Sequence, residues 1–198
     1  YSLEETRDAY YERYRFAEVF APMKRAPQQL KAHIADIPGV KSVDTRIVKN
    51  VTLDIPGLPE PATGQILSFP ENADQILNVL HLRQGRLLTP GRPDEVLVNE
   101  AFAKAHDFKP GSSFATIING HKRDLTIVGV VLSPEYIYAL GPGALMPDDK
   151  RFGVLWLNRQ ALAAAFDLED AFNDVILTLF PSARPEDVIS RLDHILEN

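Results

Sequence analysis

Residues 152–196, FGVLWLNRQALAAAFDLEDAFNDVILTLFPSARPEDVISRLDHIL, carry the most regular pattern in the chain and decide its fold class. Phe152–Leu157 is an unbroken apolar run of strand length, and Phe172–Phe180 is a second. Between them Asn158 stands where a helix N-cap belongs, ahead of an alanine-rich helix over 159–166. Pro185, Glu186 and Asp187 then open a helix whose Val188, Ile189, Leu192, Ile195 and Leu196 share one face. The order β-α-β-α predicts helices laid over one face of a sheet.

Working outward, the spacing predicts a short helix over 28–36, with Leu30 and Ile34 inward and Ile37–Pro38–Gly39 as its stop. Val43, Thr45 and Ile47, then Val51, Leu53 and Ile55, alternate with polar residues as half-buried strands do. Another strand is expected at about 62–69, and 70–93 reads as connection. Residues 24–93 and 139–198 together predict a two-layer α/β (α+β) sandwich on a mixed sheet. Residues 94–138 read as a small β-rich inserted subdomain: a strand at Glu95–Asn99, a helix over 100–106, and strands Phe114–Ile118 and Arg123–Val131 flanking Asn119–Gly120, the strongest short hairpin signal. At the start, Ser2 and Glu5 make a capping-box pattern. With neither Pro nor Gly from Tyr1 to Ala21, this predicts a long N-terminal helix over 3–21 in a stalk spanning 1–23.

The formal charge of the 198-residue chain is -6, with acidic and basic residues interspersed. Its densest basic pairs are Lys24–Arg25 and Lys122–Arg123, too sparse for a phosphate-binding face, so nucleic acid is not an expected partner. Cysteine is absent, which removes disulfides, thiolate nucleophiles and Cys-ligated zinc. None of the five histidines, His33, His81, His106, His121 and His194, lies three or four residues from another, so no helical metal-ligand pair exists. The sequence contains no GxSxG elbow, P-loop or GxGxxG fingerprint. Asp148–Asp149 and the acidic group Asp167–Asp170 lack EF-hand spacing. No catalytic residue, cofactor site or metal site is expected. The most unusual local stretch is Leu132–Ser133–Pro134–Glu135–Tyr136–Ile137–Tyr138, whose Glu135, Tyr136 and Tyr138 are candidates for contact with a partner or for packing the joint between subdomains.

Several short segments occur in a telling order: Thr6–Tyr11, Arg15–Phe16–Ala17, Lys24–Pro27, Ile37–Val40, Leu82–Arg86, Asp94–Glu95–Val96, Ile127–Val128–Gly129, Ser133–Tyr136 and Phe152–Trp156. As an ordered set they make the chain resemble the periplasmic core domain of MacB/FtsX-like ABC transporter permeases. The resemblance implies a porter-like α/β subdomain interrupted by a β-rich one, held outside the membrane between the first and second transmembrane helices. It implies a non-catalytic domain, partnered through its permease by a cytoplasmic ATPase and, in the periplasm, by an adaptor or cargo. The first residue is not Met and both ends read as helices, as expected of a piece of a longer permease. A different reading is a soluble periplasmic module that captures a small molecule or lipid in a cleft between two subdomains.

Overall fold

The computed structural model describes residues 16–71, 77–136, 141 and 145–197. Its first unit is a three-stranded sheet made of β1 (Val19–Pro27), β10 (Ala171–Leu179) and β2 (Val40–Arg46), in that order. β1 and β2 each run antiparallel to β10, which lies between them, so β1, α1 (Leu30–Ala35) and β2 form a split β-α-β unit. α1 and the C-terminal helix α4 (Pro185–Leu196) bury Ile34, Val188 and Leu192 against Val43, Val175 and Leu177. This is the expected two-layer α/β arrangement, and Pro185 opens α4 as its sequence predicts.

The chain leaves this sheet through a single residue. β2 ends at Arg46, Ile47 is fully buried, and β3 (Val48–Asp54) begins a second, seven-stranded sheet. That sheet contains β4 (Ala62–Phe69), β5 (His81–Gly85), β6 (Glu95–Asn99), β7 (Ser113–Ile118), β8 (His121–Leu132) and β9 (Phe152–Asn158), in the order β5-β8-β6-β9-β4-β3-β7. An additional β7–β8 pairing joins the ends of the run, closing six strands into a barrel with β5 attached beside β8. Leu53, Ile66, Val98, Leu125, Ile127 and Leu155 belong to the barrel's core cluster. α2 (Glu100–Ala105) and α3 (Arg159–Phe166) add Phe102 and Leu162 to it.

Asn119 and Gly120 both take positive φ, 48° and 80°, as a two-residue type I′ hairpin requires. Gly129 lies where β8 pairs with β5 on one edge and β6 on the other, beside a register shift in each ladder. A Cβ built there would meet the Arg86 carbonyl oxygen at 2.3 Å and Leu97 Cδ2 at 2.8 Å, so no side chain fits.

Four expectations need correction. Residues 19–21, expected to finish helix 3–21, lie in β1; residues 1–15 of that helix and of stalk 1–23 lie outside the described residues. β1 contains Pro22 and Pro27, tolerable because it is an edge strand, and its register shifts between Pro22 and Ala26. Sheet pairing does not follow the boundaries at 94 and 138, since β6 and β8 share the barrel with β3, β4 and β9. β5, in the stretch read as connection, is a further strand. Asn158 makes no side-chain cap to α3; its amide instead donates to the carbonyls of Thr89 and Arg92, both at 2.9 Å.

Replacing Gly129 by alanine is expected to destabilise the chain by about 3 kcal/mol, because the added methyl meets backbone as well as Leu97. Urea unfolding of wild type and Gly129→Ala, compared at constant m-value, measures it.

Candidate functional site: the cavity between the two sheets

The crossing at Ile47 is held by hydrogen bonds from both units. Ile47 donates its N–H to Ser68 Oγ and accepts the Ser68 N–H at its carbonyl, each at 2.9 Å. One residue on, the Asn173 amide of β10 accepts from Val48 N–H at 2.7 Å and donates to the Val48 carbonyl at 2.8 Å. A strand of one sheet thereby grips the first residue of the other.

Beside this crossing Arg46 joins two carboxylates. Its Nε donates to Asp174 Oδ2 at 2.7 Å, and its two terminal nitrogens donate to the Glu135 carboxylate. The three side chains are only 12%, 10% and 15% exposed. Asn78 Nδ2 donates to the same Glu135 at 3.0 Å, and Asn78 Oδ1 accepts from Ala17 N–H at 2.8 Å. Burial pushes Asp174 up to about 6; Arg46 pulls it down without cancelling that, while Glu135 adds repulsion. Burial also opposes charge on Arg46, yet Glu135 and then Asp174 hold its guanidinium protonated beyond its ordinary range. One cation serves two acids, which leaves the less well compensated carboxylate with affinity for a proton.

Two of the three candidate contact residues, Glu135 and Tyr136, fall at this joint. Glu135 is committed to Arg46 and Asn78. Tyr136 donates its hydroxyl to Gln65 Oε1 at 2.6 Å and meets the Trp156 ring edge-on at 6.2 Å between centroids. Burial, with Glu135 nearby, raises the Tyr136 hydroxyl well above the ordinary tyrosine range. Tyr138 lies outside the described residues. Sequence reasoning missed Arg46, Asn173, Asp174 and Arg159. One signal was available: Asn173–Asp174 interrupts an apolar strand, and adjacent polar residues there need partners.

A cavity of about 580 Å³ opens beside the crossing and takes residues from both sheets. Arg159, at the start of α3, reaches across from the barrel side. Its Nη1 donates to the Thr45 carbonyl at 2.7 Å and its Nη2 to Gln28 Oε1 at 2.9 Å, while Gln28 and Thr45 Oγ1 bond each other. Burial lowers the Arg159 pKa, and attraction from Asp44 partly offsets this. Among the described residues no three His, Cys, Asp or Glu side chains converge to hold a metal.

Two solved structures share this fold. The periplasmic region of MacB from Actinobacillus actinomycetemcomitans superposes with a TM-score of 0.50 at 16% identity, over 86% of this chain and 72% of that one. The extracellular domain of the noncanonic ABC-type transporter YknZ from Gram-positive bacteria does so with a TM-score of 0.52 at 13% identity, over 86% of each. The chain has the MacB-like periplasmic-domain fold. No family model and no curated protein matches the sequence, so the likeness is one of fold.

Asp174 gives this joint a pH signature. Its folded pKa of about 6 lies above the unfolded value of about 3.9, so its contribution to stability is fully present below the unfolded value and lost as pH rises through 6. Relative to Asp174→Asn, wild type is expected to gain up to about 3 kcal/mol as pH falls from 7.5 to 4. Paired denaturant melts across that range check it, and a pH-independent difference contradicts the assignment.

Proposed function

We propose that this chain is a non-catalytic extracytoplasmic domain of an ABC transporter permease, which passes ATP-driven movement to cargo or to a periplasmic partner. The observation that carries the reading is the shared fold with the outer domains of MacB and YknZ. The topology supports it. β1 and α4, the first and last described elements, pack together in the three-stranded unit, while the barrel is built wholly from the chain between β2 and β10. A domain looped out between two membrane helices needs its entry and exit side by side, with the inserted part free to face outward. Among the described residues no helix is long and apolar enough to cross a membrane, so in this reading the spans lie beyond them. The cytoplasmic ATPase binds and hydrolyses ATP, and movement reaches this domain through those spans.

The joint between the two units suits force transmission. One buried residue, Ile47, links them covalently, and the amide clamp and shared arginine keep them in register. Movement of the three-stranded unit is thereby imposed on the barrel.

Two measurements on the full-length permease test this. The chain has no cysteine, so Asp124→Cys on exposed β8 adds a single thiol to the domain. A membrane-impermeant maleimide is expected to label it in cells with only the outer envelope opened; labelling solely after lysis sinks the extracytoplasmic placement. In the permease with its ATPase, a spin label at Asp124→Cys is expected to change its distance from one on the cytoplasmic ATPase between nucleotide-free and ATP-trapped states, while the Lys41→Cys to Asp124→Cys separation across the joint stays fixed. An Asp124→Cys distance to the ATPase that does not respond to nucleotide, or a Lys41→Cys to Asp124→Cys separation that does, overturns transmission through a fixed joint.

A further inference from the structure

Two arginines of different character line the cavity between the sheets. Arg46 is saturated by Asp174 and Glu135. Arg159 donates instead to the carbonyls of Thr45 and Ala171, the Thr45 hydroxyl and Gln28 Oε1, all of them neutral. Asp44 is the carboxylate whose field offsets this cation, and its Oδ2 already accepts the Leu77 N–H at 2.8 Å. Glu169 and Asp170 also line the cavity but are exposed, where water screens them, and half-buried Glu71 is matched there by half-buried Lys31. Leu67, Leu77, Trp156 and Ile176 give the cavity an apolar lining as well.

A guanidinium that is charged, half-buried and bonded only to neutral oxygens attracts an anion more strongly than a surface arginine does, because little water screens it. Apolar surface beside it adds roughly 25 cal/mol for each Å² that a ligand covers. The volume lies within the range of small-molecule sites. We propose that this cavity binds one amphipathic anion, its carboxylate or phosphate on the Arg159 guanidinium and its apolar body against Trp156 and Leu67. Since Arg159 spans from α3 to Thr45 and Gln28 of the other unit, the ligand occupies the joint itself. The inference stands on the cavity alone and holds whether or not the chain serves a transporter.

Trp156 is the only tryptophan, so its fluorescence reports on the cavity directly. The 198-residue chain is titrated, below micelle-forming concentrations, with decanoate, with dihexanoyl phosphatidic acid and with decanol. At least one of the two anions is expected to give a saturable one-site change, with decanol at least about tenfold weaker. Tighter decanoate identifies a fatty carboxylate as the source, and tighter phosphatidic acid a phospholipid. Arg159→Gln is expected to weaken binding about tenfold. Because Arg159 also holds the joint, a second variant separates binding from folding. Gln160→Glu sets a like charge at an exposed position of the cavity, where water and salt screen it, and is expected to weaken the anion about twofold at low ionic strength with an unchanged melting temperature. The proposal is overturned if decanol binds as tightly as the anions, if Gln160→Glu binds as wild type does, or if neither anion gives a saturable signal.

Discussion

The structure depends on one residue's length of backbone. Between Arg46 and Val48 the chain leaves a three-stranded sheet and enters a barrel, with only Ile47 to make the change. A buried backbone at a sheet boundary has polar groups that neither ladder satisfies, and leaving them unpaired would cost about 1–3 kcal/mol each. Ser68 meets both groups of Ile47, and the Asn173 amide meets both groups of Val48. The relative placement of the two units follows from those four bonds, and the cavity and the Arg46 cluster lie where that placement puts them.

Arg46 and Arg159 handle burial in opposite ways. Arg46 lies between two carboxylates and makes a joint that resists separation, since removing either partner strands a charge in a poorly hydrated place. Arg159 is bonded to carbonyl, hydroxyl and amide oxygens, which fix its position without cancelling its charge. The two arginines line one cavity, so the same boundary between units provides both a braced charge and one without a carboxylate bonded to it.

The strands and helices after residue 150 were legible because burial on both faces writes unbroken apolar runs, as in Phe152–Leu157. The hairpin at Asn119–Gly120 was legible because few dipeptides accept two positive φ angles. β1 was misread as helix because Phe16, Ala17 and Phe20–Ala21 fall at helical spacing. Its strand state comes instead from pairing with β10 some 150 residues later, a contact that no local pattern encodes. The barrel escaped the same reading. Polar–apolar alternation gives each strand two faces but does not say which strands are neighbours, so β6 and β8 looked like an insertion of their own. The candidate site was less legible still. Arg46 follows the alternation as any outward residue would, and only Asn173–Asp174 broke the expected apolar run.

The position of the barrel within the chain also dictates an order of assembly. Barrel strands pair with partners close in sequence at β3–β4 and β7–β8, and all of them precede β10. β1 and β2, by contrast, pair only with β10 among the described strands. During synthesis they wait as open edges while the barrel closes, the condition under which strands recruit wrong partners. Pro22 and Pro27 lack the N–H groups that an intruding strand would need. The prolines that set β1 apart from an ordinary strand are therefore the ones that keep it available for pairing with β10.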